Sequence, residues 1–216
     1  MFIGHQAVAF ALKRVAPRRS LGTLMAAAMF LDLLWPIFLL AGWERVRIEP
    51  GNTAFTPLAF DWYPYSHSLV AAVLWALVFA TCCWKGSRKE ALILMSAVLS
   101  HWVLDAISHR PDLPLYPGSS ILIGLGLWNS RLATLFVESA GFAVALWMYH
   151  TISLPKDGAG RWGYAAFVFF LLFLYLGNAF GPPPPNVRTL EWFGVASWLL
   201  PLWAAWFDRH RSVVVS

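Results

Sequence analysis

Charge is scarce in this chain. Lys, Arg, Asp and Glu together make up 12% of its 216 residues, against about 25% in ordinary soluble proteins, which excludes a fully solvated surface. Cysteine is nearly absent too. Cys82 and Cys83 stand adjacent at the end of an apolar run, so they cannot build a disulfide framework or a four-ligand zinc site, and they read as packing residues. No fixed-period repeat occurs and no linker separates soluble domains, so residues 1–216 are expected to form a single membrane domain. No charged region precedes the first apolar stretch of "MFIGHQAVAFALKRVAPRRS", which argues against a cleaved signal peptide and predicts that Met1 and His5 are retained.

Apolar and aromatic residues fill the gap. The chain is 59% hydrophobic, with thirteen Trp and sixteen Phe, a composition suited to a bilayer core edged by aromatic belts. The formal net charge of +5 does not point to nucleic acid, because the basic residues fall in short clusters between apolar runs, the pattern of the positive-inside rule.

Runs long enough to cross a hydrocarbon core of roughly 30 Å lie near residues 22–42, 67–84, 90–109, 132–152, 162–180 and 190–207. A shorter apolar piece, residues 2–12, precedes them. The expected fold is an all-α integral membrane bundle of about six transmembrane helices plus a short N-terminal half-helix. Lys13, Arg14, Arg18 and Arg19, then Lys85, Arg88 and Lys89, then Lys156 and Arg161, then Arg209 and Arg211 share one side, the cytoplasm. The opposite side receives the 43–66 connection, the loop after Arg110 and "GPPPPNVR", whose Pro182–Pro185 run reads as a stiff connector.

Ionisable residues inside a span are costly and mark function. In "SHWVLDAISHRPDLP", His101, Asp105 and His109 recur at four-residue spacing and so line one stripe of a helix. His5, Asp32 in "FLDLLWP", His67 in "YPYSHSL" and Glu138 in "LFVESAG" also stand in apolar surroundings. With a rise of about 1.5 Å per residue from the cytoplasmic clusters, His5 comes out at roughly 12 Å, His101 at roughly 16 Å, Asp32 and Glu138 at roughly 20 Å, Asp105 at roughly 22 Å and His67 at roughly 25 Å. Residues from five segments thus converge on one layer between the midplane and the outer face. His150 and His210 fall near the basic clusters and read as interfacial.

Imidazole and carboxylate ligands without thiolate suit zinc, with manganese or iron as alternatives. Six or seven ligands exceed the four of a closed structural site and provide for one or two ions with open positions, which favours metal-activated hydrolysis. Arg110, Asp112, Trp128 and Asn129 surround this layer. Asp112 is a candidate base or partner of a ligand histidine, or a turn residue after Pro111. Arg110 is a candidate phosphate-binding group or an interfacial anchor.

The combination of "FIGHQAVAFALKR", "FLDLLWP", "YPYSHSL" and "SHWVLDAISHRPDLPLYP" resembles the YdjM-like bacterial inner-membrane family over roughly residues 1–150. The resemblance implies a multi-pass protein of the bacterial inner membrane and metal-dependent hydrolysis. More distantly the chain is similar to the zinc-dependent phospholipase C and single-strand nuclease superfamily, whose sites use an early His, an Asp, a His and a His-x-x-x-Asp pair in that order. That similarity implies ligation by His5, Asp32, His67, His101 and Asp105, with Asp105 bridging, His109 next and Glu138 as the last carboxylate. The superfamily's final His-x-x-x-Glu pair is broken here, since Thr134 stands four before Glu138, and its third metal uses a processed N-terminus.

The expected activity is therefore attack of an activated water on a phosphoester or other ester, in a lipid or lipid-linked substrate near the outer leaflet, with Asp32 or Asp112 as base. The alternative is a transporter or a proton or metal relay through the same buried residues, although neither an inverted repeat nor paired broken helices mark a pathway. A structural metal tying the helices together is a third reading. The bilayer is the expected partner, and nucleic acid is not.

Overall fold

A computed structural model describes residues 1–214. Ten helices carry the fold: α1 (Ile3–Leu12), α2 (Leu21–Ala28), α3 (Phe30–Leu40), α4 (Pro64–His67), α5 (Leu69–Cys82), α6 (Arg88–Ser108), α7 (Arg131–Ile152), α8 (Gly158–Phe180), α9 (Val187–Ala196) and α10 (Leu199–Arg209). Most begin where a short polar side chain takes up a free backbone N–H. Ser20 accepts from Gly22, Ser68 from Ala71, Ser87 from Glu90, Ser130 from Ala133, Asp157 from Gly160 and Asn186 from Thr189.

The expected spans map onto these elements unevenly. Helices α6, α7 and α8 have 21, 22 and 23 residues and are long and apolar enough to cross a bilayer. The expected span 22–42 is instead α2 and α3, bent by 58° at Met29, and counts as a fourth only if the pair is one span. Helix α5 has 14 residues, about 21 Å at 1.5 Å per residue and short of the hydrocarbon thickness. The segment 190–207 is divided between α9 and α10 at Ser197 and Trp198.

The all-α expectation also omits three short antiparallel pairs. Strands β1 (Arg45–Ile48) and β2 (Leu58–Trp62) form a hairpin pairing Val46 with Phe60 and Ile48 with Leu58. Strand β3 (Leu113–Pro114) pairs with β4 (Leu122–Ile123), and β5 (Ser153–Pro155) with β6 (Arg211–Val213). These are stretches where the chain leaves the helical bundle, and pairing satisfies backbone groups that would otherwise lie unpaired.

The core lies around α1, which is enclosed by α2, α6 and α7. The Phe10 ring is fully buried and meets Tyr149, Phe142 and Phe167 at centroid distances of 5.3, 6.0 and 6.3 Å, within the range of favourable edge-on aromatic packing. Helix α2 lies so close to α10 that a Cβ at Gly22 would collide with the Pro201 carbonyl and Ala205.

Several basic residues of the expected cytoplasmic clusters are buried and structurally engaged. Lys13 is 3% exposed and donates to Asp208 at 2.7 Å and to the Arg19 carbonyl at 2.6 Å. Asp208 also accepts from Leu21 N at 2.9 Å and from the Tyr149 hydroxyl at 3.1 Å. Arg19 pairs with Glu90 at 2.6 Å, and Arg211 donates to Ser153 and the Gly160 carbonyl. These charges neutralise partners at one end of the bundle besides setting a local excess of positive charge. His210, by contrast, pairs with Asp157 on the surface, and the hydrogen bond to His210 holds the Asp157 carboxyl below its usual pKa. His150 is exposed.

Candidate metal centre

Helix α6 is the platform. Its stripe carries the fully buried His101 and the 2% exposed Asp105 one turn later. The helix ends at His109, whose backbone is extended (φ −67°, ψ 152°), two residues before Pro111, whose ring a continuing helix would not accommodate. Around α6 the fold assembles His5 from α1, Asp32 from the first turn of α3 and His67 from the last residue of α4.

Each oxygen of Asp105 faces a different pair of histidines. Oδ1 lies 3.1 Å from His5 Nε2 and 3.8 Å from His109 Nε2. Oδ2 lies 3.2 Å from His101 Nε2 and 3.7 Å from His67 Nε2. Asp32 Oδ1 completes the second group at 3.5 Å from His67 Nε2 and 3.6 Å from His101 Nε2. Two overlapping triads result, His5–His101–Asp105 and Asp32–His67–His101. The Met1 amino group lies 2.5 Å from Asp105 Oδ1 and 3.0 Å from His5 Nε2, which places a cationic group on the Oδ1 side.

The rings are aimed by their outer nitrogens. The break at Met29 leaves the Ala28 carbonyl at the end of α2, and His101 Nδ1 donates to it at 2.8 Å. His67 Nδ1 donates to Ser66 Oγ at 2.7 Å, and that hydroxyl donates to Glu44 Oε2 at 2.7 Å. Glu44 Oε1 accepts from Tyr65 N and Ser66 N, both at 2.8 Å. Burial raises the Glu44 carboxyl above its usual pKa, against the lowering by the Ser66 hydroxyl. His109 Nδ1 donates to Asp112 Oδ1 at 2.9 Å, and the same oxygen accepts from Tyr63 at 2.7 Å. Burial first, then the Asp112 carboxylate, holds the Tyr63 phenol well above its ordinary pKa, so it remains a donor.

With Nδ1 of His67 and His101 donating, each Nε2 turns its lone pair toward carboxylate oxygens. A cation must lie between them, either a proton on each ring or a metal ion. The separations from Asp32, 3.5 and 3.6 Å, are long for hydrogen bonds and near the ~3.3 Å ligand–ligand edge that follows from Zn–N bonds of about 2.0–2.1 Å in a tetrahedron. His101 Nε2 and His5 Nδ1 are buried without hydrogen-bond partners. The residues present therefore fit a divalent ion.

Of the residues singled out in the sequence, His5, Asp32, His67, His101 and Asp105 meet in this cluster, and His109 lies at its edge. Glu138 faces elsewhere, accepting from Gly4 N at 3.3 Å and Trp128 Nε1 at 3.4 Å, and it belongs to neither triad. Asp112 is engaged by His109 and Tyr63. Arg110, 41% exposed along its side chain, faces Asp112 Oδ2 at 3.6 Å and does not line the cavity beside the cluster. The Trp128 ring packs 4.5 Å from His109, and Asn129 ends a short 3-10 turn over Leu127–Asn129. Glu44, Ser66 and Tyr63 escaped the sequence reading. Ser66 and Tyr63 stand in the "YPYSHSL" motif, whereas nothing in the sequence ties Glu44 to His67.

The model of the YdjM inner membrane protein family matches residues 1–181. The chain belongs to the YdjM inner membrane protein family. No curated protein and no solved structure matches it. The YdjM match runs past the expected limit near residue 150 and takes in all of α8, whereas α9 and α10 fall outside it. Family membership and the apolar helices together make this a multi-pass inner-membrane protein. The distant likeness to the zinc-dependent phospholipase C superfamily has no counterpart among these matches.

A cavity of about 300 Å³ opens directly beside the YdjM-family cluster, reached by Asp32, His67, Asp105 and His109. Asp32 exposes 42% of its side chain there, while the Asp105 side chain is 3% exposed. The site thus has one accessible carboxylate and one enclosed one.

Proposed function

We propose that this protein is a membrane-embedded metal-dependent hydrolase acting on a phosphoester or other ester. The observation that carries the reading is the Asp32–His67–His101 triad, with both imidazoles oriented through Nδ1 and their Nε2 lone pairs converging on carboxylate oxygens at the wall of a cavity. Asp32, His67 and His101 would hold one divalent ion, zinc first by donor type. Asp105 is shared with the His5 side, where His5 and His109 offer ligands for a second ion or hold the site's charge balance with the Met1 amino group. A divalent ion there supplies Lewis-acid polarisation of the ester and acidification of water.

The protein residues do the rest. Asp32, the exposed carboxylate, accepts a proton from water entering the cavity, and Asp105, enclosed among four histidines, fixes their relative positions. Asp112 acts on His109 as an orienting acceptor, a role its two short hydrogen bonds favour over that of a base facing the substrate. Arg110 steadies Asp112 from the loop side. Residues 1–216 form a single membrane domain in this reading, with the basic ends cytoplasmic and the cavity toward the outer leaflet.

A relay reading draws on the continuous line His101–Asp105–His109–Asp112, each neighbouring pair within 3.8 Å. Metal analysis of purified protein, with hydrolysis assays on phospholipids and simple phosphodiesters, separates the two. The hydrolase reading expects stoichiometric metal and turnover, both abolished by His101→Ala and by Asp105→Ala. Metal-free, folded protein would refute it and leave the relay.

A further inference from the structure

The cavity beside the cluster has two chemically distinct ends. At the cluster end, Trp35 Nε1 and Gln6 Oε1 are buried without hydrogen-bond partners, and both residues line the cavity. Trp35 is 9% and Gln6 6% exposed. An unpaired buried polar atom costs about 1–3 kcal/mol, and these two, on Trp35 one helical turn after Asp32 and on Gln6 next to His5, mark places where a ligand can complete the bonding.

At the other end the walls are mostly apolar, with Asn178 and Ser197 as polar exceptions. Leu171 and Leu200, 1% and 7% exposed, form the inner wall; Leu174 and Leu190 are intermediate; Phe193, 71% exposed, stands at the rim. Leu171, Leu174 and Asn178 of α8 and Leu190, Phe193 and Gly194 of α9 line this end, and the two helices pack on different partners, α8 on α10 and α9 on α3, with Gly194 pressed against Pro36. The Pro182–Pro185 run between them holds the connection extended. Helix α8 is long and apolar enough to cross the bilayer, so an opening along it would face hydrocarbon. A water-soluble substrate would have no reason to enter by such a path.

We propose that the cavity admits an amphiphilic phosphoester with a single apolar chain from the bilayer, its head at Asp32 and its chain along α8 and α9. Trp35 Nε1 donates to a non-reacting oxygen of the head, and Gln6 Oε1 accepts from a hydroxyl on it. A volume of about 300 Å³, at the lower end of ligand pockets, suits a small head and one chain rather than a two-chain lipid. This rests on the hydrolase reading only for the identity of the head.

The test uses the full-length protein in phosphatidylcholine nanodiscs and dodecyl phosphate carrying a diazirine near the end of its chain. Photolysis is expected to label residues 171–178 and 190–200, and the labelling is expected to be displaced by unmodified dodecyl phosphate and not by inorganic phosphate. Leu174→Trp, which fills the channel, is expected to cut labelling about tenfold with metal content unchanged. Trp35→Phe, which deletes the N–H, is expected to weaken competition by dodecyl phosphate several-fold. Labelling confined to outward residues such as Leu132, Phe136 or Phe173, or unaffected by Leu174→Trp, would overturn the proposal. Labelling as expected on a metal-free protein would refute the hydrolase reading and leave the chain site standing. Metal retention and turnover of a short soluble ester without channel labelling would refute the chain site alone.

Discussion

Replacing Ser66 with alanine removes one oxygen and should be felt at the metal. That oxygen accepts from His67 Nδ1 and donates to Glu44 Oε2, both at 2.7 Å, and the residue is fully buried. Without it the His67 ring loses the bond that fixes its tautomer and direction, and Glu44 keeps only its two backbone donors. Loss of such an outer partner of a ligand histidine typically weakens metal binding about 10–100-fold, or about 1.4–2.8 kcal/mol at 1.4 kcal/mol per tenfold. The two orphaned groups also cost the metal-free protein about 1–3 kcal/mol each. Ser68→Ala separates these effects, because Ser68 is equally buried but its hydroxyl only caps α5 through Ala71 N at 3.1 Å. It should lower stability by about 1 kcal/mol and leave affinity alone. Zinc competition against a chromophoric chelator in detergent measures the affinities, and thermal unfolding of the apo forms measures the stabilities. Equal affinity in Ser66→Ala and the wild type would refute the idea that His67 is aimed through Ser66 and Glu44.

Other consequences can be checked in the same preparation. Asp208→Asn leaves Lys13 buried against a neutral partner and should cost about 3–5 kcal/mol, the range for breaking a buried ion pair, seen as a lower midpoint in detergent unfolding with metal content unchanged. Gly22→Ala drives a methyl into the Pro201 carbonyl and Ala205 and should destabilise by about 1–3 kcal/mol; a variant as stable as the wild type would show that α2 and α10 can separate freely. Chelator treatment should lower the unfolding midpoint, because an ion that binds only the folded site at 100 times its dissociation constant adds about 2.7 kcal/mol, and His101→Ala should erase that difference. Asp112→Asn weakens the acceptor shared by His109 and Tyr63 and should reduce turnover less than Asp105→Asn does; an equal loss would move Asp112 into direct contact with the reaction.

What the sequence reveals about the site follows from local geometry. The spacing of His101 and Asp105 is the helix period itself, so their shared stripe on α6 was legible. Depth counting also grouped His5, Asp32 and His67, although only His5 lies on an unbroken helix from a charged end: Asp32 follows the break at Met29 and His67 precedes the break at Ser68. Direction around the axis is what such counting lacks. Glu138, counted to the same depth, turns toward Gly4 and Trp128, where α1 packs on α7. The 58° bend has no glycine or proline at Met29 to announce it, since Pro36 lies a further two turns along. Glu44 reaches His67 only because the chain reverses through the β1–β2 hairpin, a tertiary event with no sequence period. Likewise Lys13, Arg19 and Arg211 carry the composition of surface charges, and their burial depends on partners far away along the chain.

The Lys13–Asp208 pair joins residues separated by 195 positions, which gives biogenesis of this protein a direction in time. As the chain leaves the ribosome, the Lys13 ammonium is made early and the carboxylate that neutralises it almost last. The buried pair can therefore close only after nearly the whole chain has been synthesised, and the same closure fixes the end of the helix that carries His5.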